Sequence, residues 1–236
     1  MNDYKQRFFE LALSRGNLRF GEFTLKSGRV SPYFFNAGGF DDGESLGALA
    51  ECYADAIADS GVGFDILFGP AYKGIPLAAV TAVALAQRHG RNVGYAYNRK
   101  EAKDHGEGGV VVGASLAGRV LIIDDVISAG TSARESIELI RKAGAEVAGI
   151  AIALDRQERG EGEGSAELSA ELSADMSAME ELSGRHGFPC IAIARLDDLI
   201  RFLGNSDKIA GDSNEASPDA DFDLEAIRRY RERYGA

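Results

Sequence analysis

The chain has 236 residues, 45% of them hydrophobic, which suits one substantial core and a single α/β domain. Its 37 acidic and 26 basic residues give a net charge of −11, a balance that argues against nucleic acid or an anionic membrane as the main partner. Residues 1–7 carry charges where a signal peptide needs an apolar core, and no run approaches the ~18 apolar residues of a membrane span, so we expect a cytoplasmic protein.

The hydrophobic spacing predicts an opening helix over residues 3–14 and a β-hairpin within residues 18–36. Helices and strands then alternate. The predicted helices are 44–60, 74–88 and 131–143, and the predicted strands are 64–69, 92–97, 119–124, 147–154 and 190–194. The last four strands are apolar without polar alternation, as in strands covered on both faces. We therefore expect an α/β fold with a central parallel sheet flanked by helices, and ligands at the carboxyl ends of its strands.

Two segments interrupt this alternation. Residues 165–179 repeat a four-residue unit that places Leu168, Leu172 and Met176 on roughly one helical face, so we expect a solvated insert helix there. Residues 204–222 are polar and acidic, which predicts a linker before a short helix over 224–234.

Two adjacent carboxylates, Asp124 and Asp125, stand at the end of the predicted strand 119–124. Adjacent acids at the end of an apolar run cost solvation and repel each other unless a ligand uses them. The following residues, 127–134, are small and hydroxylated, and they run directly into a helix, so their amides and the helix dipole can bind a phosphate. Because carboxylates accept hydrogen bonds from vicinal hydroxyls, we predict a sugar phosphate here, with its phosphate at residues 128–132. The competing interpretation is an acid pair that merely caps a helix.

Two further loops carry positive charge towards the same edge. Residues 69–76 place Lys73 and several backbone amides after a strand, where a pyrophosphate would fit. The Gly-rich segment 98–109 contains Arg99, Lys100, Lys103 and His105. It lies in an interval of about 20 residues between the predicted strands 92–97 and 119–124, and we predict a lid there that closes over a polyanion.

The chain resembles a known family at four places. Residues 120–134 resemble the phosphoribosyl pyrophosphate signature of the type I phosphoribosyltransferases. Residues 97–109 resemble the catalytic loop of the orotate phosphoribosyltransferase family, residues 24–36 resemble the hood of that family, and residues 155–160 resemble the segment whose Arg contacts orotate. The likeness covers most of residues 1–160 and, more loosely, 188–236. It departs at Ser128, where many relatives have Thr, and in the repeat after Gly160, which is longer than usual.

The resemblance implies transfer of ribose 5-phosphate from 5-phospho-α-D-ribose 1-diphosphate to N1 of orotate, a step of pyrimidine (UMP) biosynthesis. It implies catalytic roles for Lys26, Lys103, Asp124 and Asp125. The residues that it implies for phosphoribosyl pyrophosphate binding are Lys26, Tyr72, Lys73, Arg99, Lys100, Lys103, His105, Asp124, Asp125, Val126, Ile127, Ser128, Ala129, Gly130, Thr131 and Ser132. Those that it implies for orotate binding are Phe34, Phe35, Ser128 and Arg156, and a guanidinium suits the ring carboxylate that distinguishes orotate from uracil.

The resemblance also implies a type I phosphoribosyltransferase fold with a small N-terminal hood. In that arrangement a single domain has a hood at about 1–40 and a core at about 41–203, with a low-complexity insert at about 160–187 and a linker plus C-terminal helix at about 204–236. Mg²⁺ is expected, bound mainly through the substrate pyrophosphate and ribose hydroxyls, because the sequence has no dedicated metal-ligand cluster. A homodimer is implied, with the 98–109 loop shared across subunits.

Three alternatives remain open at this point. A regulator on the same fold, sensing phosphoribosyl pyrophosphate and binding nucleic acid, is disfavoured by the net charge and the basic loop. A phosphoribosyltransferase for a purine or for uracil would not need Arg156 and the Phe34–Phe35 pair. An interaction protein built around the repeat would not explain the sugar-phosphate motif.

Overall fold

The computed structural model of the chain describes residues 1–25, 27–103, 109–127, 130–159, 176–210 and 222–236, with the backbone alone for 101–103, 109 and 206–210. Its N-terminal part contains helix α1 (Asp3–Ser14), the antiparallel strands β1 (Leu18–Thr24) and β2 (Val30–Phe35), and helix α2 (Gly43–Ser60). The predicted opening helix and hairpin are confirmed.

The central sheet has the strand order β5-β4-β3-β6-β7-β8. All neighbouring pairs are parallel except β4 and β5, which are antiparallel. The strands are β3 (Ile66–Gly69), β4 (Gly94–Lys103), β5 (Gly109–Gly113), β6 (Arg119–Ile123), β7 (Glu146–Asp155) and β8 (Cys190–Arg195). The helices that follow α2 are α3 (Gly74–His89), α4 (Thr131–Lys142), α5 (Ala178–His186), α6 (Leu196–Ala210) and α7 (Leu224–Tyr234).

Helices cover both faces of the sheet. Leu121 and Ile123 of β6 pack in a core with α1, α2, α3 and α6, whereas Ile122, between them, packs on the other face with α4 and α5. Alternate residues of a strand point to opposite faces, so a strand that is apolar throughout is buried on both. The expected parallel sheet flanked by helices is therefore confirmed, and its carboxyl edge carries the loops after β3, β6 and β7. No helix in the described part of the chain is both long and apolar enough to cross a membrane.

The structure corrects three sequence-based boundaries. The segment after residue 97 continues as strand β4 to Lys103 and pairs with the antiparallel strand β5, so most of the expected loop is strand. Residues 104–108, between the two strands, lie outside the described residues. The apolar run Val110–Val112 provides the pairing that the prediction overlooked. Helix α6 extends to Ala210, well into the segment predicted to be a linker.

The third correction is α5, which lies inside the predicted insert. Ser177 caps this helix by accepting a hydrogen bond from the amide of Glu180, whose side chain in turn accepts one from the amide of Ser177. This reciprocal arrangement is a capping box, a signal that was readable in the sequence. Residues 160–175, with most of the repeat, lie outside the described residues.

Candidate active site

The acid pair at the end of β6 is held in place by its own backbone. The amide of Asp124 donates to the carbonyl oxygen of Ala151, and the carbonyl oxygen of Asp125 accepts from the amide of Ala153, at 3.0 and 2.9 Å. The pair is therefore tied to β7 although β6 itself ends at Ile123. This explains why the two carboxylates stand at a defined position on the sheet edge.

Both carboxylates are buried more than is usual for Asp. Asp125 is 8% exposed, and its Oδ2 lies 2.6 Å from Nζ of Lys73. Asp124 accepts a hydrogen bond from Ser132 at 3.3 Å. Burial, followed by the charge of Asp125, raises the pKa of Asp124 to about 6. The pair therefore carries an energetic cost that a ligand with hydroxyl donors or a cation would offset.

A cavity of about 250 Å³ opens beside the acid pair at the N-terminus of α4. The residue before the helix is Gly130, with φ +69°, so no side chain caps the first-turn amides. Uncapped amides at a helix N-terminus bind anions, because they are unpaired donors at the positive end of the helix dipole. The cavity is lined by Ile122, Asp124, Val126, Ile127, Gly130, Thr131, Ser132, Ala133 and Ile150.

The loop between β3 and α3 lies on the other side of the acid pair. The amide of Ala71 donates to Oδ1 of Asn98 at 2.9 Å, which ties the loop to β4. The Ala71–Tyr72 peptide bond is cis. The loop is closely packed: a Cβ added at Gly74 would lie 2.5 Å from Cδ of Pro70 and 2.8 Å from the carbonyl oxygen of Ile123.

The basic residues of β4 approach the same loop. Nζ of Lys100 lies 4.6 Å from the ring centre of Tyr72, which is 67% exposed. Arg99 is half-buried on the same strand. Lys26, His105, Ser128 and Ala129 lie outside the described residues, as does the side chain of Lys103.

Arg156 follows β7 and faces the hairpin β1–β2. Its Nε donates to Oε1 of Glu158 at 2.8 Å, and its Nη2 donates to Oγ of Ser31 at 3.1 Å. The guanidinium lies 4.5 Å from the ring centre of Tyr33. Arg156, which belongs to the core, thus contacts the N-terminal hairpin, which belongs to the hood. A site that is shared by the hood and the core would need such a contact.

Phe34 and Phe35 lie on opposite faces of β2. Phe35 is 8% exposed, and its ring packs against those of Phe8 and Phe40 in the core. Phe34 is partly exposed, and its ring stacks on Phe23 at 5.4 Å. Only Phe34 therefore has a ring placed to meet a ligand in this conformation.

Sequence reasoning missed several residues that support the site. Asn98 fixes the β3–α3 loop, and Tyr53 donates to the carbonyl oxygen of Asp124 at 2.7 Å. Glu158 holds Arg156 and also accepts from the hydroxyl of Tyr230 at 2.7 Å. None of these positions stands out in the sequence, because each acts through a contact with a distant segment.

Comparison with known proteins gives consistent results. A family model described as "Phosphoribosyl transferase domain" matches residues 41–165. The chain is 57% identical over 235 residues to the orotate phosphoribosyltransferase of Chromobacterium violaceum, covering 100% of this chain and 99% of the relative. It is 54% identical over 235 residues to that of Thioalkalivibrio sulfidiphilus, covering 100% of both chains. Among solved structures, the orotate phosphoribosyltransferase of Francisella tularensis matches with a TM-score of 0.78 and 38% identity, covering 97% of this chain and 99% of that one.

Proposed function

The chain belongs to the orotate phosphoribosyltransferase family, and from that premise we propose which of its residues bind the two substrates. The enzyme transfers ribose 5-phosphate from phosphoribosyl pyrophosphate to N1 of orotate, giving orotidine 5′-monophosphate and pyrophosphate, in pyrimidine biosynthesis. Its fold is the type I phosphoribosyltransferase fold.

The ribose 5-phosphate binds where β6 meets α4. The observation that carries this proposal is the position of a buried carboxylate, Asp125, and a half-buried one, Asp124, beside an uncapped helix N-terminus and a cavity. Asp124 and Asp125 accept from the ribose hydroxyls, and the 5-phosphate takes the amides and hydroxyls of residues 126–132. A phosphate alone would be repelled by the acids, so the arrangement favours a ligand with hydroxyls at one end and phosphate at the other.

The pyrophosphate binds above the loop between β3 and α3. Lys73 and Asp125 neutralise each other at 2.6 Å, and substrate separates them, with Asp125 turning to a ribose hydroxyl and Lys73 to the pyrophosphate. Tyr72 and Lys100, whose side chains are already in contact, line the same path. The further residues proposed here are Lys26, Arg99, Lys103 and His105.

Orotate binds between the hood and the end of β7. The guanidinium of Arg156 takes the ring carboxylate, and the partly exposed ring of Phe34 contacts the base. Phe35 supports the strand from within the core. Ser128, at the start of the loop after the acid pair, adds a hydroxyl to this part of the site.

In this proposal most of the rate enhancement comes from charged side chains placed close to the charges that develop in the transition state. Orotate is already an anion, so the reaction needs little base catalysis. Positive charge develops at the anomeric carbon and negative charge on the leaving pyrophosphate as the bond from N1 forms. Asp124 and Asp125 orient the ribose near the developing positive charge, while Lys26, Lys73 and Lys103 neutralise the leaving group.

Asp124 and Asp125 also suit Mg²⁺ as outer partners. No group of three or more His, Cys, Asp or Glu side chains in the described ranges could hold a metal ion. Mg²⁺ would be held mainly by pyrophosphate and ribose oxygens, with the two carboxylates nearby. The raised pKa of Asp124 means that its ionised form is disfavoured in the ligand-free protein, and a nearby cation would stabilise that form. When bound, Mg²⁺ neutralises charge on the pyrophosphate.

We propose that the enzyme is a cytoplasmic homodimer in which residues 98–109 of one subunit, from the end of β4 to the start of β5, close over the site of the other. Each subunit is a single domain, with a hood at about 1–40, a core at about 41–203 that holds the insert, and a C-terminal part at about 204–236. The contact of β2 with α1 and α7 supports one body rather than two.

An absorbance assay tests the substrate assignment. Purified protein with phosphoribosyl pyrophosphate and Mg²⁺ should consume orotate, and it should turn over uracil or hypoxanthine at a rate at least about a hundredfold lower, since both lack the carboxylate for Arg156. Turnover of either control base without orotate consumption would contradict the assignment.

A further inference from the structure

The C-terminal end of the chain returns to the segment that carries Arg156. The amide of Arg159 donates to the carbonyl oxygen of Tyr234, and the amide of Ala236 donates to that of Gln157, both at 2.9 Å. Glu158 and Gly235 form an antiparallel bridge between these two bonds. The backbone of Glu158 is therefore fixed by the residues that follow α7.

The side chain of Glu158 is fixed by the same helix. Its Oε1 accepts from the hydroxyl of Tyr230 at 2.7 Å and from Nε of Arg156 at 2.8 Å. Nη2 of Arg156 lies 2.6 Å from the same oxygen and donates to Oγ of Ser31 as well. One carboxylate oxygen thus links helix α7 to the guanidinium and, through it, to the hood.

Tyr230 is well placed to hold the side chain of Glu158. It is 5% exposed, and its ring meets Tyr33 edge-on, with 6.1 Å between ring centres. Burial, together with the hydrogen bond to Glu158, raises the pKa of Tyr230 to about 12, so the hydroxyl keeps its proton and remains a donor at neutral pH.

We infer that Tyr230 is a positioning residue for orotate: it holds Glu158, and Glu158 orients Arg156 so that part of the guanidinium remains available to the ring carboxylate. This inference rests on the proposed role of Arg156. A guanidinium has five N–H donors, and Glu158 occupies the Nε edge with a single oxygen. The other oxygen of Glu158, Oε2, lies 3.7 Å from Nη1 of Arg29. Without the hydroxyl of Tyr230, only this longer contact opposes a turn of the Glu158 carboxylate that pairs both of its oxygens with Arg156, in competition with orotate.

The test uses the full-length enzyme and the separate KM values for orotate and phosphoribosyl pyrophosphate. Tyr230→Phe should raise the KM for orotate roughly tenfold, in line with the loss of a hydrogen bond to a charged group, and leave the KM for phosphoribosyl pyrophosphate within about twofold. The matched control is Tyr234→Phe, on the same helix, whose ring rather than hydroxyl contacts Arg29. It should change neither value.

A double-mutant cycle tests the route through Glu158. In a Glu158→Ala background, Tyr230→Phe should have no further effect on the KM for orotate, because the group through which it acts is gone. An unchanged orotate KM in Tyr230→Phe, or an equal rise in both KM values, would overturn the inference. Should Tyr230→Phe fail to fold, Glu158→Ala alone decides: an unchanged orotate KM overturns the inference and a selective rise supports it.

Arg156→Lys separates this inference from the proposed function. A large rise in orotate KM for Arg156→Lys, with none for Tyr230→Phe, overturns the inference and leaves the role of Arg156 intact. An unchanged orotate KM for Arg156→Lys overturns both.

Discussion

The sugar-phosphate half of the site is built from neighbours in the sequence, whereas the base half draws on distant parts of the chain. The acid pair, the cavity and the helix N-terminus all lie within residues 122–133 and Ile150. The base half joins Ser31, Arg156, Glu158 and Tyr230, and the last two are 72 residues apart.

The two halves are also held by different forces. Backbone hydrogen bonds to β7 fix the main chain of Asp124 and Asp125, so the position of that half follows from the sheet itself. Arg156 is oriented by the side chains of Ser31 and Glu158, and Glu158 accepts in turn a hydrogen bond from the side chain of Tyr230. A position that is fixed by main-chain hydrogen bonds is kept when neighbouring side chains are substituted. A position that is fixed by a network of side chains is lost when any one of those side chains is removed. Misplacing the carboxylates of the first half should therefore require a change in backbone packing, whereas misplacing Arg156 should require only the loss of one polar atom.

The largest effect is expected from Gly74→Ala. The added Cβ would lie 2.5 Å from Cδ of Pro70 and 2.9 Å from the carbonyl carbon of Gly69, so the loop that carries Lys73 must move. We expect kcat/KM to fall about a hundredfold, as for misplacement by about 1 Å, and stability to fall by about 1–3 kcal/mol. Steady-state kinetics and denaturant unfolding measure the two.

Gly47→Ala is the matched control for this substitution. Gly47 lies within α2, and a Cβ there would meet no atom within 4 Å. Alanine should stabilise the helix by up to about 1 kcal/mol and leave kcat/KM unchanged. Equal losses of activity in the two variants would show that the packing around Gly74 has no special role.

A smaller effect, measured on the stability of the ligand-free protein, is expected from Asp124→Asn. Burial and the charge of Asp125 raise the pKa of Asp124 from 3.8 in the unfolded chain to about 6. Between these values the folded state binds more protons, so the free energy of unfolding falls as pH rises from about 4 to about 6. Asparagine does not ionise, so the variant avoids this fall in the free energy of unfolding. We expect the ligand-free variant to be more stable than the parent at pH 7 by up to about 2 kcal/mol.

The comparison across pH provides the control for this prediction. At pH 4 the variant and the parent should unfold at the same denaturant concentration, since Asp124 is then protonated in the folded state. Asp41→Asn, at an exposed position, should change stability at neither pH. A variant that is less stable than the parent at pH 7 would show that the acid pair does not strain the fold.

The smallest effect is expected from Asn98→Ala. Oδ1 of Asn98 accepts from the amide of Ala71, and its loss leaves the pyrophosphate loop without its tie to β4. The KM for phosphoribosyl pyrophosphate should rise about fivefold, the equivalent of one neutral hydrogen bond, and the KM for orotate should not change. Asn92→Ala, at an exposed position before β4, is the control. A change in orotate KM alone would mean that the two halves are not separate.

The same contrast explains how far the sequence could predict the molecule. The acid pair and the phosphate-binding loop were predictable because strand, carboxylates and helix start follow one another, and the alternating pattern predicted the sheet. The antiparallel strand β5 was missed because its apolar run of three residues is short and stands beside a charged, Gly-rich segment. The extent of α6 was missed because its last residues are polar and resemble a linker. The link from Tyr230 through Glu158 to Arg156 was missed because Tyr230 and Glu158 are 72 residues apart, and the spacing of residues within a segment does not predict a contact over that distance.

Binding of ribose 5-phosphate and of inorganic phosphate to an Asp124→Asn, Asp125→Asn double variant tests the central claim most directly. If carboxylates hold the ribose hydroxyls and main-chain amides hold the phosphate, calorimetry should find that the parent binds ribose 5-phosphate more tightly than inorganic phosphate. The variant should lose that advantage and still bind inorganic phosphate at least as tightly as the parent. A variant that keeps the full preference for ribose 5-phosphate, or that loses both ligands equally, would contradict the account.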